Sequence, residues 1–90
     1  MPINAIDLKL TLSVVQQSVL GANPLRRYAL LVNDGGDDVY LGMGIPAVAN
    51  RGIRINSGGG SYEISLMNPW YGEIYAVAIA NAPTLLVTEW

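Results

Sequence analysis

The chain has 90 residues, of which 51% are hydrophobic and 13% charged, with a net charge of −2, and this length predicts one small domain. It contains no cysteine and no histidine, which excludes a disulfide framework, cysteine or histidine metal ligands and a Ser-His-Asp triad. Five basic residues are too few to neutralise the phosphates that nucleic-acid binding requires, and the high apolar fraction is incompatible with a disordered chain.

The first predicted element is a β-strand over residues 6–14. Apolar residues from Ile6 to Val14 alternate with polar ones at period two, which is typical of a strand with one buried face. A break at 21–24 separates it from a second strand, 26–33, whose more continuous apolar character predicts a central position in a sheet. Between the two strands, residues 14–20 are long enough for only one helical turn and carry no capping pattern.

Turn chemistry divides the rest of the chain. The Asp-Gly step in 34–38 and the glycines of 57–61 each predict a hairpin turn. Residues 46–50 are compatible with a loop that contains a helical turn. The predicted strands are 6–14, 26–33, 39–43, 53–56, 62–65, 73–80 and 84–89. About seven short, closely spaced strands predict an all-β fold, a small antiparallel β-sandwich of jelly-roll-like type.

The pattern predicts a single β-sandwich domain over residues 1–90, in which residues 1–20 form an N-terminal strand or an arm exchanged between subunits. The longest apolar run, 74–80, has seven residues, whereas a membrane-spanning helix needs about 20. Asp7 and Lys9 interrupt the apolar stretch that a signal peptide would need. Since so few charges are available to solvate its exterior, we expect the domain to cover apolar surface in a homo-oligomer.

Two glycine motifs invite a nucleotide-binding interpretation. Gly42-Met-Gly44-Ile-Pro-Ala47 matches the G-x-G-x-x-A fingerprint, but Pro46 and the short strand that follows are incompatible with the helix that this motif requires. The run 58–60 lacks the Gly-Lys-Ser/Thr ending of a phosphate-binding loop. We interpret both motifs as structural glycines and expect no nucleotide and no other cofactor.

The acidic residues offer two further hypotheses. Asp34, Asp37 and Asp38 place oxygen ligands close together, as Ca²⁺ requires, but the segment is short, so we favour a solvated turn and predict no metal site. Glu63 and Glu73 are the candidate acid and base, yet alternation along short strands places both on the solvent face. Serines and threonines have no base to activate them. We predict that the chain is not an enzyme, and glutamate-based catalysis is the weakest alternative.

Aromatic and basic residues suggest contact sites. The chain has five tyrosines and two tryptophans but no phenylalanine, and these amphipathic rings suit both subunit interfaces and sugar-binding platforms. Trp70 and Tyr71 lie in a predicted corner and Trp90 is the last residue, so these three are the predicted interface anchors. Arg26 and Arg27 form a basic pair that either binds a nearby carboxylate or contacts an acidic partner surface.

Short segments in a fixed order carry a resemblance. They are Asn-Pro-Leu-Arg-Arg at 23–27, Leu-Leu-Val-Asn at 30–33, Val-Tyr-Leu-Gly at 39–42, Gly-Gly-Ser-Tyr-Glu at 59–63, Gly-Glu-Ile-Tyr-Ala at 72–76 and Leu-Val-Thr-Glu-Trp at 86–90. Over about residues 20–90 the chain resembles small all-β virion proteins of tailed and tailless bacteriophages. The resemblance implies a capsid decoration protein, a vertex or head-fibre component, or a small tail or baseplate subunit, and it carries over no catalytic residue.

We therefore predict a non-enzymatic viral structural protein located in the virion. It would self-associate and dock to other virion proteins, such as the major capsid protein, without nucleic acid and without a membrane-spanning segment. The alternative hypothesis is a carbohydrate-binding β-sandwich module, which the aromatic set on an all-β frame suggests. Sugar binding that depends on Trp70 would favour the alternative.

Overall fold

The computed structural model describes residues 5–90, which form eight strands and no helix. The strands are β1 Ile6–Thr11, β2 Gln17–Leu20, β3 Ala29–Asn33, β4 Val39–Met43, β5 Ile53–Ile55, β6 Ser61–Ile64, β7 Ile74–Ala78 and β8 Thr84–Glu89. Every strand pair is antiparallel. With no helix among the described residues, none is present that could cross a membrane.

The strands form two four-stranded sheets. One sheet has the order β1-β8-β3-β6 and the other the order β2-β7-β4-β5. Every connection along the chain crosses from one sheet to the other, except the β4–β5 hairpin. This arrangement of two Greek keys is a jelly roll. The predicted all-β sandwich of jelly-roll-like type is therefore confirmed, with eight strands instead of about seven.

The eighth strand lies where only a helical turn had been considered. Residues 17–20 form β2, which pairs with β7 through Gln17↔Ala76 and, after a register shift, Leu20↔Ile74. A four-residue strand with a bulge has too little period-two pattern to be recognised in the sequence, and its pairing partner lies more than fifty residues away. Residues 46–50 form a loop with a turn and no helix.

The two predicted hairpin turns were wrong. Segment 34–38 connects β3 to β4 and segment 57–61 leads from β5 to β6, and in both cases the two strands belong to different sheets. Glycine is still required in the first of these turns, because a Cβ on Gly35 would lie 2.4 Å from Cβ of Pro83 in the neighbouring connection. Turn residues indicate where the chain reverses its direction, but they do not indicate with which strand the segment after the turn pairs.

Strand β1 is buried at only one end. The predicted inward face begins with Ile6 and Leu8, which are 53% and 37% exposed, and burial increases through Leu10 to Leu12, which is 1% exposed. The strand also ends at Thr11, short of the predicted Val14. Alternation thus identified the strand and its inward face correctly, but it did not reveal that the second sheet covers only part of that face. Residues 1–4, part of the predicted arm, lie outside the described residues.

The core fills the space between the sheets. Its largest fully buried apolar side chains are Leu12, Leu31, Leu41, Ile55, Ile64, Ile74 and Leu85, with Val39 and Val87. A smaller cluster of Tyr40, Ala47 and Val77 lies under the β4–β5 loop. That loop returns so closely over β4 that a Cβ on Gly42 would lie 2.2 Å from the Ile45 carbonyl oxygen. The first glycine of the apparent nucleotide fingerprint therefore has a packing role.

Candidate interaction surfaces

The antiparallel registers divide the connections between the two ends of the sandwich. Connections 21–28, 44–52 and 65–73 lie at one end together with Trp90, and this is called the apolar end. Connections 12–16, 34–38, 56–60 and 79–83 lie at the other, called the acidic end. Each end is named after the side chains that it exposes.

A buried arginine holds the apolar end together. Arg26 is 2% exposed, and its Nε donates to Oε2 of Glu89, near the end of β8, at 2.5 Å. Its Nη2 donates to the Gly21 carbonyl oxygen at 2.7 Å. Its Nη1 donates to the carbonyl oxygens of Trp70 and Gly72 at 2.9 and 3.2 Å. One guanidinium thus joins the β2–β3 connection, the β6–β7 connection and β8, with the fork geometry that lysine cannot reproduce.

Trp70 is part of the same structure. Its ring lies between two glycines, since a Cβ on Gly44 or Gly72 would come within 3.0 or 2.8 Å of the ring atom Cζ2. Its Nε1 donates to the Glu73 carbonyl oxygen at 3.3 Å. The ring packs against the core and is only partly exposed. Trp70 therefore packs inside the β6–β7 connection and stabilises it, whereas its neighbour Tyr71 is 47% exposed.

Exposed apolar side chains are concentrated at the apolar end. In the described chain twelve large apolar side chains are exposed, and seven of them lie at the apolar end: Leu25, Ile45, Val48, Leu66, Met67, Tyr71 and Trp90. Met67 and Leu25 are 94% and 83% exposed. The acidic end exposes three, namely Val14, Val15 and Ile79. Apolar side chains grouped at one site, unlike scattered ones, are typical of interaction surfaces.

Charge is also distributed unevenly between the ends. Arg27 and Arg51 are exposed at the apolar end, near the exposed Glu63 and the half-buried Glu73. Asp34, Asp37 and Asp38 lie at the opposite end, where Asn81 Nδ2 donates to Asp37 Oδ2 and the Ser57 amide donates to Asp38 Oδ1. These two carboxylates thus bind different protein donors. Among residues 5–90, no three acidic, histidine or cysteine side chains converge as metal ligands.

A stacked aromatic pair lies on the outer face of the β1-containing sheet, next to the apolar end. The rings of Tyr28 and Trp90 have centroids 4.5 Å apart and planes 24° apart. The Tyr28 hydroxyl donates to Oε2 of Glu63 at 2.7 Å, and this bond raises the pKa of Tyr28 above its ordinary value. Trp90 is 42% exposed, so part of the stacked pair stays open to solvent.

The second candidate glutamate has hydroxyl partners of its own. Ser18 and Tyr75 each donate to the carboxylate of Glu73 at 2.7 Å. The bond from Ser18, followed by the bond from Tyr75, lowers the pKa of Glu73, and the same carboxylate raises the pKa of Tyr75. Glu63 lies in β6 and bonds to Tyr28, whereas Glu73 directly precedes β7 of the other sheet and bonds to Ser18 and Tyr75, so the two carboxylates have separate partners and do not form an acid–base pair.

Of the five predicted contact residues, the structure brings four to the apolar end as exposed or half-buried side chains and buries the fifth. Arg26 makes its described contacts within the chain, which matches the interpretation that it pairs with a nearby carboxylate. The sequence interpretation missed Leu25, Leu66 and Met67. A signal for them exists, because Leu25 and Met67 directly flank Asn-Pro steps and Leu66 lies two residues before one, where the chain is expected to turn and not to continue in a strand.

Comparison with protein-family models, with curated proteins and with solved structures gives no match.

Proposed function

We propose that this chain is a structural protein of a virus particle, a small capsid decoration or minor virion component that self-associates and docks through its apolar end. The observation that supports docking is the concentration of seven of the twelve exposed large apolar side chains at that end. Burial of such side chains stabilises a complex by roughly 25 cal/mol per Å² of apolar surface removed from water. The complementary surface would be apolar at its centre.

The charges of this end indicate further chemistry of the partner. Arg27 and Arg51 are exposed at this end, where Glu63 and Glu73 also carry carboxylates, whereas the Asp34–Asp38 turn leaves the other end of the sandwich more acidic. Opposite charges across an interface orient the partners, so an acidic rim on the partner would favour docking by the apolar end. Arg26 fixes the loops before binding, which reduces the entropy lost when they are held in a complex.

The location in a virion has independent support from the sequence. Residues 20–90 resemble small bacteriophage virion proteins in the order of their turn and strand segments. Jelly rolls occur in viral capsid proteins and also in lectins and cupins, so the fold is compatible with the proposal without selecting it. The non-enzymatic role is part of the same proposal.

The test is incorporation into particles. Particles are purified by density gradient from the biological source of the chain, and the chain is detected by antibody and mass spectrometry at a fixed copy number. A variant with Leu66→Ser and Met67→Ser should lose incorporation. The matched control, Val14→Ser with Val15→Ser, removes two exposed apolar side chains from the acidic end and should be incorporated normally. A chain abundant in the lysate and absent from particles would refute the proposal.

The Tyr28–Trp90 stack favours one alternative, a carbohydrate-binding module. The half-exposed indole ring of Trp90 could stack on a sugar ring, while the nearby carboxylate of Glu63 accepts a hydrogen bond from a sugar hydroxyl. A glycan array with the intact protein tests this alternative. Binding that Trp90→Ala abolishes and Tyr71→Ala preserves would support it, and equal signals across all glycans would exclude it.

A further inference from the structure

Strand β1 is the least protected sheet edge of the described chain. Four strands lie at sheet edges: β1 and β6 in one sheet, β2 and β5 in the other. Strand β5 has three residues, β6 has four, and β2 has four with a register shift. Strand β1 has six residues in unbroken register with β8. Proteins protect edges by shortening or bulging them or by placing charged side chains there; β1 is neither short nor bulged, and its two charges, Asp7 and Lys9, have opposite signs.

The backbone groups on the free side of β1 can be identified. The Leu12 amide donates to the Pro83 carbonyl oxygen at 2.9 Å, on the β8 side. Because hydrogen-bonding direction alternates along an antiparallel strand, even-numbered residues of β1 face β8, and Asp7, Lys9 and Thr11 direct their amides and carbonyls outward. The outward edge therefore offers regular donors and acceptors to another strand.

We propose that a second copy of this chain pairs with β1 across a two-fold axis at Leu8, so that the two β1-containing sheets join into one eight-stranded antiparallel sheet. This inference deepens the self-association in the proposed function by naming its surface and register. In this register Asp7 lies opposite Lys9 of the second copy, and Leu8 lies opposite its own equivalent. The free edge of each copy is then covered by the other, and the assembly closes at two.

The charges of β1 select this register over its neighbours. Moving the axis to Asp7 would place two aspartates directly opposite each other, and moving it to Lys9 would place two lysines opposite each other. Like charges directly opposite each other destabilise a strand pair, whereas opposite charges stabilise it. Thr88 Oγ1 donates to Asp7 Oδ1 at 2.9 Å, which holds this carboxylate on the outer face of the sheet. Lys9 is the chain's single lysine.

The apolar face of β1 fits the same register. Leu8 would face its equivalent, and Ile6 would face Leu10 of the second copy, both as non-hydrogen-bonded pairs whose side chains approach closely. Ile6 and Leu8 are 53% and 37% exposed in the single chain although they lie on the inward face of the strand. Pairing would cover both and continue the apolar layer between the sheets into the second copy.

Charge reversal gives the sharpest test. Light scattering behind a sizing column, over a hundredfold concentration range, should find the full chain as a dimer. Lys9→Asp or Asp7→Lys alone should raise the dimer dissociation constant at least tenfold, since each creates two like-charge pairs. The double variant D7K/K9D should restore the dimer. An equimolar mixture of the two single variants should form a heterodimer, because every cross-strand pair then again joins a lysine with an aspartate.

Cysteine cross-linking tests the position of the axis. The chain has no cysteine, so Leu8→Cys introduces a single thiol at the two-fold axis. The spacing of about 4.5 Å between Cα atoms of a non-hydrogen-bonded pair lies within the range of a disulfide. Mild oxidation should link the two copies. The control Ile6→Cys, in which the two thiols lie opposite Leu10 and far from each other, should remain unlinked.

Three results would overturn the inference: a monomer throughout the concentration range, a dimer insensitive to both charge reversals, or equal cross-linking of the two cysteine variants. Thermal melting of each variant confirms that the altered chains are folded. A monomer still incorporated into particles would overturn this inference and the proposed self-association but not the virion location, and a dimer absent from particles would overturn only the virion location.

Discussion

Replacing Arg26 with methionine removes the buried cation that joins two connections and a strand at the apolar end. Glu89, 6% exposed, would lose its ionic partner, and the carbonyl oxygens of Gly21, Trp70 and Gly72 would lose a donor. Orphaning one member of a buried ion pair costs about 3–5 kcal/mol. Each carbonyl adds about 1 kcal/mol. We expect a loss of about 5 kcal/mol or more, comparable with the whole stability of many small domains.

The assay is urea unfolding followed by circular dichroism and by tryptophan fluorescence, to which Trp70 contributes from within the site. Arg27→Met is the matched control, because the neighbouring side chain is exposed and its removal should change stability by less than about 0.5 kcal/mol. Arg26→Lys keeps the positive charge but loses the forked geometry of the guanidinium, so its stability should lie between that of Arg26→Met and that of the wild type. It also provides a folded variant where the methionine variant does not fold.

A double-mutant cycle separates the ion pair from the carbonyl contacts. Adding Glu89→Leu to Arg26→Met removes the orphaned carboxylate and should recover part of the lost stability. Full recovery is not expected, because three carbonyl oxygens still lack their donor. A loss below about 1 kcal/mol in Arg26→Met would refute the role of the arginine as the organiser of this end.

Three further measurements follow from the structure. The hydrogen bond from Ser18 is the main cause of the lowered pKa of Glu73. The stability that this carboxylate contributes is present above the unfolded-state pKa and should be lost as the pH falls below 4.5. Ser18→Ala should reduce this acid sensitivity. The pKa values of Tyr28 and Tyr75 are both raised, so absorbance titration should show two late-ionising tyrosines, of which Tyr28→Phe removes one. Leu31→Ala should cost about 2–5 kcal/mol in urea unfolding, whereas Leu25→Ala, at an 83% exposed position, should cost almost nothing.

The sequence predicted strands well where the pattern was local. Segments 39–43 and 84–89 were predicted with the observed bounds, because each combines strand-forming residues with turn residues on both sides. Strand β2 was missed because its four residues are stabilised by pairing with β7, which no local pattern reveals. The two wrong hairpins have the same cause, since the choice between sheets depends on packing of the whole sandwich.

The sequence indicated which types of residue form the candidate site, but it did not indicate how the fold arranges them. The sequence interpretation named aromatic and arginine residues at corners and strand ends as separate contacts, and it did not predict that the fold brings them to one end. Which arginine is buried depends on the position of Glu89, sixty-three residues away in the chain. The Asn-Pro turns indicate locally that Leu25 and Met67 leave the strands, but the grouping of these side chains at one end depends on connections that the arginine holds in place. These are effects of the tertiary structure, and no local stretch of the sequence reveals them.

The two proposals together predict bivalent docking. The N-terminal end of β1 lies at the apolar end, because Ile6 pairs with Glu89. Antiparallel pairing of two β1 strands therefore directs the apolar ends of the two copies in opposite directions. One copy could dock while the other presents a second docking surface, so the wild-type dimer should bridge two partner molecules. Lys9→Asp should bind the same partner with one-to-one stoichiometry, measurable by light scattering of the mixture. Bridging by the Lys9→Asp monomer would show that docking valency does not arise from the β1 edge.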